Sequence, residues 1–232
     1  MMENELKSMN LVQLTGRINV KRYNEQNKSM FIVLSASVPK SALASRGSDD
    51  GWNRDYPAIV FNGEAAEEAN RKYEEGDRIS ILGHMDTRQR MAYEGSRMYR
   101  EVWEPYIVPD VVFPAATRID ANSAVFCGEI IRVYRNADEG KKFYMITMRL
   151  PGGERDARAT FTYFDPRMEL EPQVGERIFA NGAIQTKRET SDEGGRPQTR
   201  YIMSVVSRNV VIQREKDVPE KPADDDDDDL AI

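Results

Sequence analysis

Eight residues of this chain occur twice, as Gly76-Asp77-Arg78-Ile79-Ser80-Ile81-Leu82-Gly83 and as Gly175-Glu176-Arg177-Ile178-Phe179-Ala180-Asn181-Gly182. Both fit Gly-(Asp/Glu)-Arg-Ile-x-x-x-Gly. Repetition at a fixed offset constrains a fold more than a single motif does, because two copies must solve one packing problem. In each copy the Gly-acid pair predicts a turn, and the residues after it alternate faces as a short strand does. Ile79, Ile81 and Gly83 share one side, and Ile178, Ala180 and Gly182 hold the matching places. Turn-plus-strand is common, so the octet gains weight only if its flanks repeat as well.

They do. Residues 11–21 alternate cleanly, with Val12, Leu14, Gly16, Ile18 and Val20 on one face. Ala124, Phe126, Gly128 and Ile130 follow Val12, Leu14, Gly16 and Ile18 by 112 residues, as Phe143 and Pro151 follow Phe31 and Pro39. By the octet the offset has fallen to 99, consistent with a loop after the second strand that is 13 residues shorter. Gly16 inside its strand predicts a bulge or a barrel corner.

The first copy reads as strands over 11–21, 30–38, 56–61, 78–86 and 99–108, with a Ser/Gly/Asp loop over 40–54 carrying Trp52. A helix is predicted over 64–73, rich in helix formers and with Glu67–Arg71 and Glu68–Lys72 at i,i+4. In the second copy Pro166 and Pro172 reduce that helix to about one turn within 165–174. A hairpin tip at 191–195 and a final strand over 200–212 complete it. Strand, strand, strand, helix or linker, strand, strand is the order of a small five-stranded barrel. The expected domains are a first barrel over 1–110, a linker over 111–122 and a second barrel over 123–213. A charged linker and acidic tail fill 214–232.

Charge separates along the same lines. The formal charge is −6, but residues 215–232 hold nine acids against Lys216 and Lys221, a net of −7, so residues 1–214 carry +1. An acidic average therefore does not exclude nucleic-acid binding by the body. The run Asp224 to Asp229 is predicted to be disordered, because like charges repel and no apolar surface offsets the ordering entropy. One cysteine, Cys127, excludes an internal disulfide and a Cys-based zinc site, and one histidine, His84, removes most metal and His-dependent catalytic arrangements. With no apolar run near the ~18 residues of a membrane span and no signal-peptide core, a soluble cytoplasmic protein is expected.

At this point a family resemblance is specific. Residues 11–17 (Leu-Val-Gln-Leu-Thr-Gly-Arg) resemble the opening strand of single-stranded DNA-binding proteins of the bacterial and bacteriophage type. Residues 56–67, beginning Tyr-Pro-Ala-Ile-Val-Phe-Asn-Gly, are similar to their third strand and helix start, and the octet looks like their Gly-basic-x-Val-x-Val-x-Gly strand. Arg88 and then Tyr99-x-Glu101 resemble the next hairpin. The first half carries this match along most of its length, the second at Gly128, Phe143 and 175–182. An acidic tail with an apolar end is a family trait too. The resemblance implies an all-β chain of two tandem five-stranded oligonucleotide/oligosaccharide-binding (OB) barrels, the first with a helix between strands three and four, ending in a disordered acidic tail. Departures are Asn62 where the family has an aromatic, Arg90 where it often has Trp, and Leu-Ala-Ile where tails usually end in Pro-Phe. The short linker and altered end favour a bacteriophage origin.

The residue types agree with that implication. A sequence-tolerant single-strand binder needs cations for phosphates and aromatic faces for bases. In the first copy the candidates are Arg17, Arg22, Tyr23, Trp52, Arg54, Tyr56, Arg88, Arg90 and Tyr93. In the second they are Tyr134, Arg135, Lys142, Tyr163, Lys187 and Arg188. Phe31, Phe61 and Phe143 fall mid-strand and read as core, and Tyr163 is the better surface candidate beside Phe161 and Phe164. The groove is accordingly expected in the first barrel, with the second serving DNA or subunit contacts. The tail, Asp224, Asp225, Asp226, Asp227, Asp228, Asp229, Leu230 and Ile232, is expected to dock replication or recombination proteins or to mimic nucleic acid.

No catalytic constellation, cofactor motif or metal site is expected. Gly152-Gly153 and Gly194-Gly195 read as turns, and Glu64, Glu67 and Glu68 as helix surface. The functional expectation is a non-enzymatic binder of single-stranded DNA in replication, recombination or repair, and the family resemblance implies a homodimer. The alternatives are an OB-fold interaction scaffold and an RNA-binding protein.

Overall fold

A computed structural model describes residues 8–39, 52–94, 98–138, 142–151, 156–193 and 196–214, with backbone alone at 38–39, 52–53, 90–94, 98–102, 188–193 and 196–202. Eleven strands and one helix follow in the order β1 (Met9–Asn24), β2 (Ser29–Pro39), β3 (Trp52–Asp55), β4 (Ala58–Asn62), α1 (Gly63–Lys72), β5 (Arg78–Glu94), β6 (Met98–Pro114), β7 (Ala121–Asn136), β8 (Phe143–Leu150), β9 (Ala157–Phe164), β10 (Arg177–Glu193) and β11 (Arg196–Gln213).

These strands close two five-stranded OB barrels. The first runs β1-β2-β4-β6-β5 and returns to β1, and its one parallel contact pairs Ile59 with Ile107. The second runs β7-β8-β9-β11-β10 and returns to β7, with Phe161 parallel to Val205. Alternation fills each interior: Leu14, Ile32, Ile79 and Ile81 in one, and Phe126, Ile146, Phe161 and Ile178 in the other, all fully buried. Gly76 and Gly175 sit at φ +93 and +94, a conformation that L side chains rarely adopt, which is why both octets open on glycine.

The barrels share one sheet. Antiparallel pairing of β1 with β7 runs from Met9↔Cys127 to Thr15↔Ala121, and Val12 pairs with Ala124, its own counterpart in the repeat. A pseudo-twofold axis therefore passes between those two residues. The octet arginines brace the halves reciprocally. Arg78 Nη2 donates to Asp120 Oδ1 at 2.7 Å, while Arg177 Nη2 donates to Ser8 Oγ at 3.0 Å, and Ser8 lies 112 residues before Asp120. Asn10 and Asn122 make the same pair of backbone bonds, Asn10 with Met85 and Asn122 with Ile184.

Several sequence expectations change. The stretch 111–122 is not wholly irregular, because β6 extends to Pro114 and β7 starts at Ala121. Asp120 between them is pinned by Arg78 and by the N–H of Ser37 at 2.8 Å. Trp52 and Arg54 lie in β3, paired with the end of β2, rather than in a loop. The irregularity in β1 falls between Ile18 and Val20, not at Gly16. Gly16 is a close-approach site, where a Cβ would fall on the carbonyl of Ser35, and Gly128 meets Arg149 the same way. No helical turn forms over 165–174. Asp165 instead takes the N–H groups of Arg167, Met168 and Leu170 at 3.2, 3.0 and 3.0 Å, a local side-chain alternative to helix. On α1, Glu67 pairs with Lys28 of the β1–β2 turn at 2.8 Å.

Candidate nucleic-acid interface

OB barrels bind oligonucleotides across the strand 2–3 face and its flanking loops, here β2–β4 and β8–β9. Outward residues on these strands follow from register. On β8 they are Phe143, Met145, Thr147 and Arg149, because Tyr144, Ile146, Met148 and Leu150 point inward and are buried. Their partners on β9 are Phe164, Thr162, Thr160 and Arg158. Tyr134 and Arg132 on β7 sit beside Met145 and Thr147.

Three rings meet at one end of this face. Tyr134 and Phe143 have centroids 6.4 Å apart at 46°, and Phe143 and Phe164 are 5.9 Å apart at 58°. Both lie within the range of favourable tilted ring pairs. Tyr134 is 54% exposed and Met145 40%, and both phenylalanines are half-buried, so the row presents ring surface to solvent. Arg132 is exposed on the same face, and Arg135 and Lys142, also exposed, adjoin Tyr134 and Phe143 in sequence. Thr147 and Thr160 share a hydroxyl bond of 2.9 Å in the middle of the face, and Arg149 and Arg158 stand opposite each other at its far end. From Phe143 to Arg149 the face spans about 20 Å at ~3.3 Å per residue.

The same positions in the first barrel carry different chemistry. Arg22 replaces Tyr134, Ser29 replaces Phe143, Asn62 replaces Phe164, and Phe31 replaces Met145. The ring row is absent there, and Arg22 and half-buried Phe31 remain. Part of this face is also covered. Thr186 of β10 accepts the N–H of Tyr56 at 2.8 Å and bonds Asp55 through its own N–H at 2.7 Å, while Met203 of β11 meets the N–H of Ala58 at 3.3 Å. The reciprocal contact sets Trp103 of β6, 37% exposed, over Arg158 of β9, with Cζ 4.3 Å from the ring centroid.

The remaining expected residues fall as follows. Arg17 is exposed and donates to the carbonyl of Gly76 at 3.0 Å. Arg54, Arg135, Lys142 and Lys187 are exposed. Tyr23 and Tyr163 are half-buried against the core, and it is Phe164, not Tyr163, that shares the outer row. Arg88 is held in a fork by Glu104 at 2.9 and 2.7 Å, which offsets its charge. The side chains of Trp52, Arg90, Tyr93 and Arg188 lie outside the described residues, as does the whole tail from Asp224 to Ile232. His84 Nδ1 lies 3.0 Å from Asp110 Oδ1. Among the described residues no group of three or more His, Cys, Asp or Glu gathers as a metal site would require, and no helix is long and apolar enough to cross a membrane.

Sequence reasoning missed Phe143, Phe164, Met145, Arg132, Arg149 and Arg158 as surface residues. The usable signal was parity: Ser29, Ser35 and Ser37 mark the outer side of β2, and an even offset keeps Phe143 on that side. The turn after the first strand has four residues in the first copy (25–28) and six in the second (137–142), so β8 matches β2 at 114, not 112. At 114, Phe143 falls on Ser29 and Tyr144 on the inward Met30; the two extra residues change which first-barrel residue Phe143 replaces, Ser29 and not Phe31, and leave it on the same outer side.

No family model and no curated protein sequence matches this chain. Among solved structures it is similar to the wild-type single-stranded DNA-binding protein from Thermus aquaticus, with TM-score 0.63 and 14% identity over 90% of this chain and 95% of that one. A deletion mutant of that protein gives TM-score 0.63 and 16% identity over 92% and 98%. At such identity the likeness establishes the tandem OB architecture.

Proposed function

We propose that this chain binds single-stranded DNA with little sequence preference, and that the face of β7, β8 and β9 is its main stacking surface. The observation that carries this is the ring row Tyr134–Phe143–Phe164 with exposed Arg132 on its face and exposed Arg135 and Lys142 next to it in sequence. Rings accept any base, and cations follow the backbone, which is the combination a sequence-tolerant binder uses. Arg17, Arg22 and Arg54 of the first barrel extend the cationic surface. The Thermus aquaticus neighbours, named for single-stranded DNA binding, support the same reading. Recruitment of replication, recombination or repair proteins is assigned to the acidic tail. Titration of the intrinsic tryptophans with poly-dT, duplex DNA and RNA at several salt concentrations tests the reading. We expect tightest binding to poly-dT, weakening steeply with salt. Equal affinity for duplex would end the proposal, and preference for RNA would move it to the RNA-binding alternative.

A homodimer completes this reading. The outer face of the shared sheet carries Met9, Leu11, Leu82, Val111, Phe113 and Val211, each 37–56% exposed and placed on one side by register. A patch of that kind on a contiguous sheet fits a second copy of the same surface. Sedimentation should give about twice the 26.5 kDa chain mass, and Leu11→Glu with Val111→Glu should halve it.

A further inference from the structure

Beyond the stacking row, the other end of the same face has no assigned role. Arg149 and Arg158 are directly opposed across β8 and β9, both exposed and on one side of the sheet. Like charges so placed repel unless an anion joins them. Among the described residues Arg149 has only long contacts to carboxylates, 3.6 Å to Glu129 and 3.9 Å to Asp156. Arg158 has the indole of Trp103 over its guanidinium, delivered from the other barrel. A cation, a second cation and a half-exposed indole thus converge where the second barrel's face meets the first barrel's hairpin.

We infer that Arg149, Arg158 and Trp103 form a nucleotide subsite at the junction of the barrels, in which one phosphate of the single strand bridges the two arginines and its base stacks on Trp103. This rests on the single-strand reading and extends it, because it carries the strand from the second barrel onto the first. An arginine against an indole also strengthens the site, since a guanidinium held on a ring by cation–π attraction keeps its N–H donors for phosphate.

The test uses the full chain with Trp52→Phe, which leaves Trp103 as the single tryptophan. Fluorescein-labelled dT oligonucleotides report binding by anisotropy while Trp103 emission is followed in the same titration. We expect Trp103 to be quenched in step with binding. Arg158→Gln should weaken binding about tenfold and lower the slope of log affinity against log salt by up to about 0.7, the value for one phosphate contact on a single strand. Arg149→Gln lies clear of the indole and should lower the slope similarly with quenching retained. Saturated anisotropy with unchanged Trp103 emission, or unchanged salt slopes in both variants, overturns the subsite and leaves Trp103 as a brace between barrels. Absence of any anisotropy change overturns the single-strand reading itself, and the subsite with it.

Discussion

The two barrels agree where their residues point inward and disagree where they point outward. Met30, Ile32, Leu34 and Ala36 of β2 are buried, as are their counterparts Tyr144, Ile146, Met148 and Leu150 of β8. Between them stand Ser29, Phe31, Val33 and Ser35 in one copy and Phe143, Met145, Thr147 and Arg149 in the other. A closed five-stranded barrel leaves little freedom inside, because changes in volume disturb dense packing. Its outer face carries no such constraint. The repeat therefore reports the skeleton, and the binding chemistry lies in what does not repeat.

The shared skeleton predicts equal damage from equivalent backbone lesions. At Gly16 and Gly128 an added Cβ would meet the carbonyl oxygen of the neighbouring strand, Ser35 or Arg149, and backbone cannot step aside as a side-chain tip can. Gly16→Ala and Gly128→Ala should each cost about 3 kcal/mol or more, at the upper end for overpacking. Urea unfolding of both variants checks this. A large loss in one and none in the other would show that the barrels are not equivalent in their close approach.

The outer faces predict the opposite, an unequal response in binding. Phe164→Ala removes a ring from the row and should lower poly-dT affinity by about 1–3 kcal/mol. Its counterpart Asn62 has no ring to lose, and Asn62→Phe should raise affinity by supplying one. Arg22→Gln, in the place of Tyr134, should leave stacking intact and lower the salt slope by about 0.7. Anisotropy titrations at four salt concentrations separate these outcomes. Equal losses from Phe164→Ala and from alanine at Phe31 would erase the distinction between the faces.

The barrel order, the duplication and the helix were legible because they rest on alternation, glycines and turn residues, all local signals. The octet was legible too, down to its buried isoleucines, although the reach of Arg78 and Arg177 across the pseudo-twofold was not. The outer row was hidden for a physical reason. Both parities of Phe143-Tyr144-Met145-Ile146-Thr147-Met148 include large apolar side chains, so alternation does not tell inside from outside. The two-residue difference in turn length does not decide it, because an even shift keeps every side chain on its own face; the pairing of β8 with β7 and β9 around the core does. Contacts between the halves, such as Trp103 on Arg158, depend on a docking geometry that no local pattern encodes.

The reciprocal hairpin contacts are also unequal. Thr186 bonds Asp55 through its N–H at 2.7 Å and its hydroxyl at 3.3 Å, with the carboxylate almost fully buried. In the other half the counterparts of Asp55 and Thr186 are Ala157 and Thr87, and among the described residues the buried Thr87 hydroxyl has no hydrogen-bond partner. Asp55→Ala should then cost about 1–3 kcal/mol by leaving buried donors unmet, while Thr87→Val should be neutral or stabilise by about 1 kcal/mol. Thermal or urea unfolding decides, and a loss on Thr87→Val matching that of Asp55→Ala would mean that the two junctions are alike after all.

The smallest effect separates the hairpins by pH. Tyr106 of β6 donates to Asp86 Oδ2 at 3.0 Å, whereas the corresponding positions in the second barrel are Ser204 and Gln185. Burial, and then the Asp86 carboxylate, push the Tyr106 phenol up to about 12. The folded chain therefore holds this proton more tightly than the unfolded chain, whose tyrosines titrate near about 10. The resulting stabilisation is complete below pH ~10 and is lost as pH rises through about 12. Tyr106→Phe should thus lower stability at pH 7 by about 1 kcal/mol, the worth of the hydrogen bond to Asp86, and flatten the fall between pH 9.5 and 11.5, read from urea midpoints at each pH. Parallel alkaline falls in wild type and variant would place the alkaline sensitivity elsewhere among the ten tyrosines and remove this difference between the hairpins.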